Sequence, residues 1–432
     1  MSTTLPRRTL LTTGAAGTAL GTLAILTDPP AHAEQNDRPR SRARFDLDAE
    51  VLDGGEQVVS LTIRSSRLEA VRHTSLSTDT FSVHVRATSP LDGSLAYEQD
   101  RAVTSARWDG SRSIVLGLEH GEGVEGASTL LYTQDRNVLL DLEYTITQDQ
   151  PLATTERGTR GPVVLDSFVQ GDLRDPEVDS FTHHQVRGGL KYRLFTPSPG
   201  AGPGRRNGGG RPRGRRPLVV WLHGVGEGRL HTPEHDYYDN ETTLRANRGA
   251  LGFATARAQA IFGGAYVVAP QSTSKWMADG DGFAPMIQAV IDEVVSRERI
   301  DTDRIHVVGC SNGGYMTLKM VAENPREFAS QVPICSAVSE PGDTYYLSDR
   351  TIRAMRSTPT WLVAAETDTS LDPYRNTVRF HELIDGSIMS LYPTVEWDGY
   401  EYPGHWSWIY VARNDPAKSG RHIWQWMADQ RR

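Results

Sequence analysis

Arg304-Ile305-His306-Val307-Val308-Gly309-Cys310-Ser311-Asn312-Gly313-Gly314 decides the fold. An apolar run reads straight into Gly-x-Ser-x-Gly, and Tyr315-Met316-Thr317-Leu318-Lys319-Met320-Val321 continues as a helix that stops near Pro325. A serine thrown outward on a tight strand-to-helix turn needs strained backbone, and bulky neighbours there would clash; glycines on both sides relieve this. The bare pentapeptide arises often by chance, whereas this context marks Ser311 as a nucleophile.

Outward from this turn the pattern repeats as strand, loop and helix. LVVWLHG (218–224), AYVVAP (265–270), FASQVPICSA (328–337) and PTWLVAAETD (359–368) are apolar runs, and DGFAPMIQAVIDEVVSRE (281–298) and HIWQWMADQ (422–430) have helical spacing. Continuous apolar strands alternating with helices imply a doubly wound, mostly parallel sheet, with ligands at the C-terminal strand ends. The catalytic part is assigned to 156–432.

A serine hydroxyl needs a base, and the base an orienting carboxylate, in the chain order Ser, acid, His. Only His381, His405 and His422 follow Ser311. His381 and His422 fall in helical segments, while His405 sits in the loop EYPGHWSW (401–408), so His405 is the expected base. Asp368, at the end of the preceding strand, is the expected acid; Glu366 and Asp372 compete, with Asp372 suited to capping before Pro373. The backbone N–H groups of Val225 and Asn312 are the expected oxyanion donors. His223 is read as a structural member of the oxyanion turn. Trp276 and Trp406 are expected to line the substrate cleft and Trp408 to pack, while Gln271 either joins loops or touches substrate. Cys310 and Cys335 lie at ends of strands expected to be neighbours; a disulfide and two buried thiols both remain open.

The first part reads differently. FSVHVRA (81–87), SIVLGLEH (113–120), STLLYT (128–133) and VLLDLEYTI (138–146) are short β-rich runs separated by turn material such as SPLDGS and HGEGVEG. They predict a small all-β sandwich within 34–155, behind a polar leader. Arg7 and Arg8, an uncharged stretch to Thr27 and Ala31-His32-Ala33 predict a twin-arginine export signal over 1–33, hence a secreted protein. The segment from Gly202 to Pro217 holds six arginines among Gly and Pro and reads as a flexible loop. Of the 432 residues, 38 % are hydrophobic and 23 % charged, as in ordinary globular proteins. A net charge of -8 without a basic stripe argues against nucleic-acid binding. No later stretch is long and apolar enough to span a membrane. Neither metal nor cofactor is expected.

Taken in order, Tyr192-Arg193-Leu194-Phe195, Leu222-His223-Gly224-Val225-Gly226-Glu227-Gly228, Ala269-Pro270-Gln271 with Trp276, Gly309–Gly314, Val332-Pro333-Ile334-Cys335, Asp368 and Gly404-His405 resemble the α/β-hydrolase superfamily. More closely, the chain resembles secreted esterases of the polyhydroxybutyrate-depolymerase and feruloyl or acetylxylan type, also called predicted peptidases, over about 160–432. Ala365 stands where that family usually has Gly. The resemblance places YRLF and WLHG in one domain, making the arginine-rich segment an insertion. It also matches the first part to an N-terminal immunoglobulin-like domain, associated in relatives with assembly or access to the site, which leaves homo-oligomerisation through it open. The implied activity is hydrolysis of carboxylic esters, either small and soluble, feruloyl or acetyl groups on plant polymers, or an aliphatic polyester. The alternatives are a prolyl-oligopeptidase-like peptidase, though no propeller repeats precede the catalytic part, and a non-enzymatic carbohydrate-binding protein, which would have no need of a triad.

Overall fold

The computed structural model describes residues 42–154, 161–198, 214–337 and 346–432. The signal segment 1–33, nearly all of the polar leader and the arginine-rich stretch up to Arg213 lie outside the described residues.

Strict alternation in the first part produces one-sided strands. Phe81–Thr88 buries every second side chain, so Phe81, Val83, Val85 and Ala87 face inward together. They belong to a three-stranded sheet, Leu95–Arg101, Phe81–Thr88 and Asp141–Gln148 in spatial order. Facing it is a five-stranded sheet ordered Phe168–Arg174, Ala43–Leu52, Gly55–Arg64, Ser113–Leu118 and Val103–Trp108. Phe45, Leu61, Ile63, Val83, Ile114 and Leu116 fill the space between as one core, giving a β-sandwich. Its edge strand Phe168–Arg174 runs parallel to Ala43–Leu52. The sandwich therefore reaches past residue 155, where the change of sequence texture placed its end. The expected single run Val138–Ile146 is broken at Leu140 into strands Arg136–Leu139 and Asp141–Gln148.

The second part is an eight-stranded sheet. Its spatial order is Phe181–Gln185, Lys191–Phe195, Tyr266–Gln271, Arg216–Leu222, Ile300–Cys310, Ser330–Ile334, Trp361–Ala365 and Ile388–Tyr392. The first two join antiparallel, and the rest pair in parallel. The central strands are buried on both faces, as their unbroken apolar runs require. One face packs Ile287, Val290 and Val294 of helix Gly280–Arg297 with Met316 and Met320 of helix Asn312–Glu323. The other packs Leu251, Phe253, Phe262, Trp424 and Met427. The order reverses between Arg216–Leu222 and its two neighbours, which opens a crevice at their C-terminal ends.

Sandwich and sheet belong to one compact unit, Ser41–Arg432. Glu56, fully buried, pairs with Arg245, which also holds Glu241 at 2.8 Å. Arg413 grips Asp53 with Nη2–Oδ2 at 2.7 Å and Nε–Oδ1 at 3.0 Å. Leu139 N–H donates to the Tyr237 hydroxyl at 2.8 Å, and Arg136 Nε donates to the Arg229 carbonyl at 3.3 Å. These contacts bring the sandwich and its neighbouring hairpin against the segment that follows strand Arg216–Leu222 and against the end of helix Trp408–Ala412.

Candidate active site

Strand Ile300–Cys310 delivers Ser311 with φ 55° and ψ -116°, a left-handed conformation that a side chain adopts only under constraint. The constraint is visible on both sides: Ser311 N–H donates to Ile334 O at 2.9 Å, and Ser311 O accepts from Ala337 N–H at 3.0 Å. A Cβ on Gly309 would stand 2.5 Å from Gly313 O, and one on Gly313 would stand 2.0 Å from Leu222 O. Both motif glycines therefore exist for close backbone packing.

Asp368 follows strand Trp361–Ala365. Its buried Oδ1 accepts the N–H groups of Ser370 and Leu371, both at 2.9 Å, which fixes the carboxylate. Its Oδ2 accepts from His405 Nδ1 at 2.8 Å. That bond leaves Nε2 of His405 as the proton acceptor. Gly404 makes the approach possible, since a Cβ there would stand 2.3 Å from the Thr367 carbonyl. Glu366 is exposed and meets the Tyr374 hydroxyl at 3.4 Å. Asp372 caps the next helical segment, accepting Tyr374 N–H at 2.8 Å. His381 binds Ser387 Oγ, and His422 the Asp415 carbonyl.

Ser311 and His405 open on one cavity of about 470 Å³, together with Val225, Gly226, Glu227 and Trp406. Val225 begins the 3-10 turn Val225–Glu227, and Asn312 is the first residue of helix Asn312–Glu323. A first-turn N–H has no intrahelical acceptor, so Asn312 N–H is available to a ligand. Beneath the turn, His223 is buried; its Nδ1 donates to Gly224 O at 2.6 Å and its Nε2 accepts Ser272 N–H at 3.0 Å. Burial pushes this imidazole down to about 3, so it stays neutral and structural. Gln271 joins loops, its Nε2 donating to Glu227 O at 2.9 Å and its Oε1 accepting Asn240 N–H at 2.7 Å.

Trp276 requires correction. It is fully buried, and its Nε1 donates to His223 O at 3.1 Å while its ring packs against Phe283. Following a strand end made it look like a cleft wall; the turn folds it inward to brace His223. Trp406 does line the cavity, and so does Trp408. These two rings stack at 5.8 Å, and Trp408 meets His405 edge-on at 5.7 Å.

The cysteines are both free and buried. Burial pushes each thiol well above its ordinary range, which removes Cys310 as a competing nucleophile. Among the described residues no group of three or more His, Cys, Asp or Glu side chains could hold a metal ion.

Asp53, Gly54 and Ser128 of the N-terminal part, with Leu130, Tyr132 and Asn137 of the separate two-stranded hairpin Leu130–Thr133 and Arg136–Leu139, also line the cavity. Sequence reasoning missed them, and missed Glu227. A carboxyl within the oxyanion turn was the available signal for the last; nothing local marks the others.

A solved structure described as a thermostable esterase superposes with a TM-score of 0.70 at 22 % identity, covering 90 % of this chain and 99 % of that one. The chain has the α/β-hydrolase fold. The likeness extends over the β-sandwich as well as the hydrolase sheet, since so little of either chain is left uncovered. Within this fold, residues 277–349, which include the elbow, match the prolyl oligopeptidase family. "Putative esterase NocK" of Nocardia uniformis subsp. tsuyamanensis is 31 % identical over 130 residues, 30 % of this chain and 35 % of NocK. Poly(3-hydroxyalkanoate) depolymerase C of Paucimonas lemoignei is 35 % identical over 131 residues, 27 % of each chain. The chain thus spans about a third or less of the curated relatives it matches.

Proposed function

We propose that this α/β-hydrolase cleaves carboxylic esters through an acyl-enzyme on Ser311. The carrying observation is the 2.8 Å bond between Asp368 and His405 at the cavity that also receives the strained Ser311. His405 Nε2 takes the hydroxyl proton as Ser311 Oγ attacks the ester carbonyl, and the carbonyl electron pair moves onto oxygen. The N–H groups of Val225 and Asn312 receive that charge. Collapse expels the alcohol, which takes the proton from His405; water activated by the same base then releases the acid.

The partial relatives named for ester and polyester hydrolysis support this class. The paired Trp406 and Trp408 rings suit an acyl group or leaving group with a flat or apolar face. Small esters, feruloyl or acetyl groups of plant polymers and aliphatic polyesters all fall in that class. A peptidase reading is favoured by the prolyl oligopeptidase match; it shares the elbow, and the β-sandwich stands where a propeller would be expected. Export by the twin-arginine route, proposed from Arg7 and Arg8, would bring the enzyme to extracellular esters.

A panel of acyl esters, feruloyl esters, acetylated xylan, polyester and prolyl-peptide amides, run beside Ser311→Ala, tests the proposal. Ester turnover above amide turnover, lost in Ser311→Ala, is expected. Amide turnover above ester turnover sinks the esterase reading, and unchanged activity in Ser311→Ala sinks the mechanism.

A further inference from the structure

The hairpin Leu130–Thr133 and Arg136–Leu139 closes through Gln134 and Asp135, both with positive φ (49° and 59°), the tight two-residue turn that suits strand twist. In this register Tyr132 faces Asn137 directly, and both reach the cavity. The hairpin is anchored on either side of Asn137. Arg136 Nε holds the Arg229 carbonyl at 3.3 Å, Val138 is fully buried, and Leu139 N–H donates to Tyr237 at 2.8 Å. Asn137 is therefore held from outside the catalytic sheet at a set place over the oxyanion turn.

How close it comes is shown by Gly226. A Cβ there would stand 2.9 Å from Asn137 Nδ2 and 3.5 Å from a Tyr132 ring carbon. Gly226 has no positive φ to explain it; its lack of a side chain is what admits the Asn137 amide. That amide is half-buried and has no hydrogen-bonding partner among the described residues. An amide donor at the cavity wall with no protein acceptor is free to donate to a ligand there.

We propose that Asn137 is a catalytic residue contributed by the two-stranded hairpin beside the β-sandwich, its Nδ2–H donating to the ester carbonyl oxygen beside the Val225 and Asn312 N–H groups. This rests on the acyl-enzyme reading above. As the Ser311 Oγ–C bond forms, charge grows on that oxygen and the Asn137 bond strengthens, so the donor acts on the transition state more than on bound ester.

The test uses the full chain and a turned-over acyl ester. Asn137→Ala and the near-isosteric, uncharged Asn137→Leu should each lower kcat roughly 100-fold while KM stays within about threefold. Inhibition by a trifluoromethyl ketone, which presents a tetrahedral oxyanion, should weaken by the same factor; a structural role would not link the two. A kcat within about threefold of wild type, or a loss confined to KM, overturns the proposal. If Asn137→Ala fails to fold, Asn137→Leu decides, because it keeps the shape and removes the donor without adding a charge. The rate of Ser311 labelling by a fluorophosphonate separates the two levels of inference. No labelling of the wild type refutes the acyl-enzyme reading itself; wild-type labelling that both variants match refutes the role of Asn137 alone.

Discussion

Glu227 should make the stability of this protein depend on pH in a way one substitution removes. Its carboxyl is 7 % exposed, lines the cavity, and has one oxygen without a partner. Burial pushes it up to about 7 from an ordinary 4.5; its own N–H, Arg136, the Gly224 N–H and Asn247 pull it down by less. His223, Cys310 and Tyr132 also face it, and the buried His223 and Cys310 stay neutral near pH 7. Below pH 4.5 folded and unfolded chains both hold the proton, and the full stability is present. As pH rises, the unfolded chain ionises first, and stability falls by about 1.4 kcal/mol per pH unit until the folded carboxyl also ionises near 7. The total loss is about 3 kcal/mol, or roughly 4 °C for a cooperative unit of this size. Glu227→Gln copies the neutral acid at every pH. Thermal melts of both proteins from pH 4.5 to 8.5 should differ by a constant at the acid end and diverge in favour of the variant towards pH 8. Taking the difference cancels every other titrating group. Parallel curves across the whole range would refute the reasoning.

Three further outcomes are expected. Asp368→Asn should lower kcat by about 10⁴-fold with its fold intact, because an amide donating to His405 Nδ1 imposes the wrong tautomer; steady-state kinetics and a melt check both halves. Gly313→Ala places a Cβ 2.0 Å from the Leu222 carbonyl, which cannot move without shifting the oxyanion turn, so fluorophosphonate labelling of Ser311 should be lost even in the fraction that folds. Arg245→Ala leaves Glu56 buried and uncompensated between sandwich and sheet and should cost about 3–5 kcal/mol in urea unfolding, while Glu56→Gln with Arg245→Met should recover much of it.

Much of the fold was legible because it is written in local periodicity. The alternation in Phe81–Thr88 and the unbroken apolar run of Arg216–Leu222 each dictate how many faces a strand buries. The boundary near 155 was misplaced for the opposite reason. Strand Phe168–Arg174 has no distinctive pattern of its own and is claimed for the sandwich by pairing with Ala43–Leu52, more than a hundred residues earlier.

By itself the sequence determined the strand–turn–helix around Ser311 and the order in which serine, carboxylate and imidazole follow one another. Those depend on backbone sterics within a few residues and on strand ends that meet at one edge of a parallel sheet. Only the tertiary structure decided that Trp276 folds inward to brace His223, that Cys310 and Cys335 stay unpaired, and that Asn137 and Tyr132 reach the cavity. Each depends on how separately folded layers dock. Docking is set by long-range pairs such as Glu56 with Arg245 and by close approaches such as Asn137 over Gly226, and neither member of such a pair carries a local mark of the other.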